Sequence, residues 1–122
     1  MDISEVIPGL YIASRFYPVD DQMPDSVPID CAAVLEDSPD QSTMPIEVLA
    51  RVTFGLLHDG LAVTLFCDAG RNRSAVVAAR ALIIRGHTPA NAISLVRQAR
   101  SHLQGGALTN QTFVEYLLRA AS

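Results

Sequence analysis

The apolar positions of this chain change their spacing twice along its length. Near the start they fall in short blocks, Val6 with Ile7 and then residues 10–13. Pro8 and Gly9 lie between the blocks as a turn, so the pattern predicts two short strands. Residues 14–28 carry Pro18, Pro24 and Pro28 among Asp20, Asp21 and Asp25 and read as an irregular surface loop lying away from any anion site. Residues 29–35, with Cys31, Ala32, Ala33, Val34 and Leu35 in succession, suit a buried strand. From Pro45 the spacing becomes helical. Proline fits the start of a helix, and Ile46, Leu49, Val52 and Leu56 recur as its predicted core face. Asp59 and Gly60 end it. The run at 61–66, apolar but for Thr64, then predicts a central strand, and residues 75–85, interrupted only by Arg80, a buried helix capped by Gly86. Thr88 and Pro89 open a further helix over 90–102. Phe113, Tyr116, Leu117 and Ala120 mark one face of a last helix over 110–120.

Early strands followed by strand–helix alternation predict an α/β fold, a central, mainly parallel sheet flanked by helices. The 122 residues suit one domain, spanning 1–122. The net charge of −4 argues against general nucleic-acid binding, although all nine cationic side chains are arginines. The acidic N-terminal residues do not read as a signal peptide, and no apolar run approaches the ~20 residues that span a bilayer. A reduced, cytoplasmic protein with no membrane partner is the expectation, with Cys31 in the core and a redox pair with Cys67 as the alternative.

The chemistry concentrates at residues 67–74, Cys-Asp-Ala-Gly-Arg-Asn-Arg-Ser, between the apolar strand and the buried helix. An anion placed there meets unpaired N–H groups and the positive end of the helix dipole. Residues Asp68, Ala69, Gly70, Arg71 and Asn72 can turn their amides inward as a nest around phosphate oxygens, with Gly70 at the position needing most backbone freedom. Arg73 adds a flat fork that grips two oxygens at once. The same field favours an anionic sulfur on Cys67, placed for in-line attack on phosphorus. The hydroxyl of Ser74 is positioned to hydrogen-bond that sulfur when it leaves.

This spacing, Cys, five residues, Arg, then Ser, resembles the signature of the cysteine-based dual-specificity phosphatases. Residues 3–14 resemble the opening strands of that family, and Asn110, Gln111, Thr112 and Phe113 are similar to the start of its last helix. The resemblance implies a minimal protein-phosphatase-like fold. It also implies hydrolysis of phosphomonoesters through a phosphocysteine, on a phosphorylated protein or small phosphoester, without metal or organic cofactor. In the family an Asp about thirty residues before the nucleophile is the general acid. Asp37 stands thirty positions before Cys67 and is the favoured acid, with Asp40 at twenty-seven and Glu36 as rivals; ordinary turn chemistry is the alternative reading of all three. Two features depart from the family pattern. Phe66 stands where a His usually precedes the nucleophile, and the front half has room for one strand where the family has two.

Two other functions share the loop. One is a non-catalytic phosphate reader that keeps the cradle without turnover. The other is a rhodanese-like sulfurtransferase, against which the longer loop closing on Arg73 and Ser74 argues. Arg71 reads equally as a second phosphate contact or a solvated loop tip, and Asp68 as a negative charge at the rim that disfavours highly phosphorylated inositides. Arg97 and Arg100 read as a solvated helix face, and Asn110 as a helix cap or a pin for the loop. His58, His87 and His102 lack metal-ligand spacing.

Overall fold

The computed structural model describes residues 2–15 and 25–121. Four strands form one sheet in the order β1-β2-β4-β3, with β1 at Ile3–Ile7, β2 at Leu10–Ser14, β3 at Val27–Asp30 and β4 at Val63–Cys67. The first two pair antiparallel across the Pro8-Gly9 turn, where Gly9 takes a φ of 88°. Strand β4 then runs parallel between β2 and β3, Leu65 facing Ile12 on one side and Ile29 on the other. A strand with parallel neighbours on both edges is covered on both faces, which is why Val63, Thr64 and Leu65 are all fully buried, the Thr64 hydroxyl paired with that of Ser26 at 2.7 Å. Most of the predicted irregular loop, residues 16–24, lies outside the described residues, and its end, Val27 and Pro28, belongs to β3.

The predicted strand at 29–35 is shorter than the apolar run. It stops at Asp30, whose carboxylate accepts from the amide of Ala32 at 3.0 Å and turns Cys31–Ala33 into one turn of 3₁₀ helix. An aspartate able to bond its own following backbone competes with the strand ladder, and here it wins. Cys31 is fully buried and free, and burial pushes its thiol pKa up.

The helices are α1 (Thr43–His58), α2 (Arg73–Ile84), α3 (Pro89–Ala99) and α4 (Gln111–Arg119). The buried side of α1 is Ile46, Ala50 and Thr53, and Val52 points out at 48% exposure, contrary to the expected face. Thr53 is tolerated inside because its hydroxyl donates to the carbonyl of Leu49 at 2.8 Å, within its own helix. Helix α2 is the centre of the molecule and packs against α1, α3, α4 and β4. Past its first residue, Arg73, its one charge is Arg80, which is buried and donates to both carboxylate oxygens of Glu47 and to the carbonyl of Ala121. Tyr116 donates to Glu47 as well, so one half-buried polar cluster ties α1, α2 and α4 together. Burial works to raise the Glu47 carboxyl pKa, but the bonds from Arg80 and Tyr116 outweigh it and hold that pKa down. No helix among the described residues is long and apolar enough to cross a membrane.

Candidate active site

The loop after β4 is set by where its oxygens go. The carbonyl of Cys67 accepts from the amide of Arg15 at 2.9 Å, and that of Asp68 from the hydroxyl of Ser14 at 2.6 Å. The carbonyls of Ala69 and Gly70 accept from the guanidinium of Arg100, at 3.1 and 3.0 Å. The carbonyl of Arg71 accepts from the amide of Leu108 at 2.9 Å, and that of Asn72 from Val76 at 2.8 Å in the first turn of α2. Every carbonyl from 67 to 72 is thus engaged by a donor outside the loop. Among the described residues, no hydrogen bond uses the amides of 68–72. Such a ring, with its oxygens bonded outward and its N–H groups left over at a helix start, is an anion nest.

Gly70 shows how tightly the outer side is built. Its φ is 63°, and a Cβ there would stand 2.6 Å from Nη2 of Arg100 and 3.0 Å from the carbonyl oxygen of Ala13. Leu108 also carries a positive φ, 56°, at the point where its amide meets the loop. A leucine held in that conformation costs about 1–3 kcal/mol, a strain that clusters at functional sites.

Of the two arginines expected on a solvated face, Arg97 is exposed as expected and Arg100 is not. Arg100 is fully buried: beyond the two loop carbonyls it forms a two-armed ion pair with Asp2 and donates to Ser4. Burial works to raise the Asp2 carboxyl pKa, but hydrogen bonds from Arg100 and His102, with their charges, hold it below the usual value. Arg97 donates to the carbonyls of Ala107 and Leu108 and so braces the segment that carries the Leu108 amide. Arg71 is not a free loop tip, since its guanidinium donates to the carbonyls of Gln104 and Gly106 at 2.7 and 2.6 Å.

Cys67 closes β4 and is 2% exposed, with its Sγ 3.2 Å from the hydroxyl oxygen of fully buried Ser74. Arg73 is the first residue of α2, and its guanidinium meets the carboxylate of Asp68 at 3.1 Å. The other oxygen of Asp68 is 3.1 Å from Nε of Arg15, whose guanidinium also pairs with Asp30 and lies 5.6 Å from the ring centre of Phe66. The position that departs from the family's usual His therefore stacks a cation at the rim.

Asp37 is brought to the loop and its rivals are not. Its two oxygens accept from the side-chain amides of Asn72 and Asn110, each at 2.9 Å. Asp40 and Glu36 make only local backbone bonds, to Ser38 and Gln41. Asn72 is 5% exposed, and its own oxygen accepts from the amides of Thr109 and Asn110. Asn110 both caps α4, accepting from Thr112, and pins the acid loop, donating to Ser38. No cluster of three metal-ligating side chains exists among the described residues.

A four-stranded, mostly parallel sheet with helices and this loop at the carboxyl end of its central strand is the fold of the dual-specificity and tyrosine phosphatases. Human DUSP28 superposes with a TM-score of 0.77 at 19% identity, over 96% of this chain and 93% of that one. The human tyrosine phosphatase-like serine/threonine/tyrosine-interacting protein superposes at 0.75 and 18%, over 95% and 93%. OH1 from the Orf virus, described as a tyrosine phosphatase with triple substrate specificity, superposes at 0.73 and 16%, over 98% and 86%. No protein-family model and no curated protein sequence matches the chain.

Proposed function

We propose that this chain is a cysteine-dependent phosphomonoester hydrolase of the dual-specificity type, acting on a phosphorylated protein or a small phosphoester. The observation that carries the reading is the loop at 67–72, whose carbonyls are all bonded outward around a cysteine in contact with Ser74. The amides receive the equatorial oxygens of the phosphoryl group, and Arg73 adds its fork as charge shifts in the transition state. The Cys67 sulfur forms a bond to phosphorus as the bond to the leaving oxygen breaks. Asp37, as general acid, gives that oxygen its proton and then takes one from the water that splits the phosphocysteine. The Ser74 hydroxyl donates to the sulfur as it departs. No step calls for a metal or an organic cofactor.

One observation favours a second reading, a phosphate reader with little turnover. Asp37 is clamped by two amides, and a carboxylate held in that way is a fixed structural acceptor unless the clamp opens. Hydrolysis of p-nitrophenyl phosphate by the purified chain decides between the two. Turnover that disappears in Cys67→Ser supports the enzyme. Tight binding of a phosphotyrosine peptide without turnover supports the reader.

A further inference from the structure

We propose that Asp68 is an internal anion that occupies the fork of Arg73, so that an incoming phosphate must displace it and the site's affinity is set by that exchange. The inference rests on the phosphate site described above. Asp68 directly follows the nucleophile, and its backbone is fixed, because its carbonyl accepts from Ser14 at 2.6 Å. From that anchor its short side chain reaches both Arg73 and Arg15, at 3.1 Å each. Among the described residues Asp68 is the one hydrogen-bond partner of Arg73. The fork that would grip two phosphate oxygens therefore already holds a carboxylate oxygen.

The exchange has a way to proceed. Arg15 is held a second time by Asp30. When Arg73 turns to the phosphate, Asp68 keeps Arg15, Arg15 keeps Asp30, and no buried charge is stranded. Asp68 is nearly half exposed, at 46%, and Arg73 is 19% exposed, so water and counterions soften the competition. Even so, the carboxylate stays beside the bound dianion after it yields the fork. Two like charges a few ångströms apart repel measurably even in high dielectric. Asp68 thus lowers affinity twice, by competing for Arg73 before binding and by repelling the ligand afterwards.

The test is the affinity of the full chain for inorganic phosphate, measured by isothermal titration calorimetry for wild type, Asp68→Asn and Asp68→Ser. Both variants should bind about three- to thirty-fold more tightly than wild type, and the gain should shrink in high salt. Weaker or unchanged binding in both folded variants would mean that Asp68 only orients Arg73, and the inference would be wrong. If wild type and variants all fail to bind phosphate, the site reading itself falls and this inference with it. If wild type binds and the variants gain nothing, only the inference about Asp68 falls.

Discussion

Arg100 and Asp2 face each other in a two-armed ion pair, 2.8 Å on each arm, across 98 positions of sequence. Other donors of the same guanidinium hold the carbonyls of Ala69 and Gly70 in the loop after β4. A residue of the first strand's leading edge thereby fixes the arginine that shapes the site. Removing Arg100 leaves the mostly buried Asp2 carboxylate with His102 alone and strands two loop oxygens. Arg100→Met should lower stability by about 3–5 kcal/mol, read as the urea midpoint. Oxyanion affinity should fall even where the variant remains folded. A normal affinity in folded Arg100→Met would show that the loop keeps its shape without it.

Gly70→Ala tests the same wall from inside the loop. The added methyl meets Nη2 of Arg100 at 2.6 Å on a backbone with φ of 63°. The expected cost is about 1–3 kcal/mol of stability, with phosphate binding weakened at least tenfold. Full-strength binding would mean that the loop can take another course.

The acid assignment makes a sharper distinction. Asp37→Asn should slow hydrolysis most for esters with poor leaving groups, by about 10²–10⁴-fold if general acid catalysis is lost, and hardly for p-nitrophenyl phosphate. Asp40→Asn should leave the leaving-group dependence as it is. The reverse pattern would transfer the role to Asp40. A further variant, Asn110→Ala, frees one oxygen of Asp37 while leaving the carboxyl in place. A faster Asn110→Ala enzyme would identify the clamp as the brake on turnover.

Acid should loosen the fold through two carboxyls. Asp2 and Glu47 both have pKa values held below their ordinary values of 3.8 and 4.5, because the bonds from Arg100 with His102, and from Arg80 with Tyr116, outweigh burial. A carboxyl more acidic in the folded than in the unfolded state contributes stability above its unfolded pKa. That contribution drains away as pH falls through the folded pKa. Urea midpoints should therefore hold level from pH 7 to about 5 and drop below about 4.5. Glu47→Gln should show a shallower drop. An unchanged acid slope in that variant would remove Glu47 from the account.

Much of the site was legible because its chemistry is local. Cys67, Gly70, Arg73 and Ser74 lie in one strand–loop–helix unit, where spacing carries the geometry, and Asp37 was singled out by the resemblance to the phosphatase family, not by spacing alone. The outer wall was not legible. Arg97, Arg100 and Arg71 sit among polar neighbours near helix ends and loop tips, and such positions ordinarily face water. Only the fold shows that their donors meet carbonyls from distant segments. One signal was present all the same. A loop that points its amides inward must find partners for its oxygens, and this chain has few other donors close enough to supply them. The same blindness shortened strand β3, because nothing in an apolar run reveals that Asp30 will turn back to bond Ala32.

The outward-bonded carbonyls leave this molecule with a mould rather than a grip. On the proposed reading, a guest meets a surface that is shaped from behind. Ser14, Leu108 and Arg100 cast the shape while standing one layer removed from it, drawn from a strand, a turn and the end of a helix. On the proposed reading, variation that alters what this protein accepts should therefore surface in that backing layer as readily as in residues 67–74 themselves.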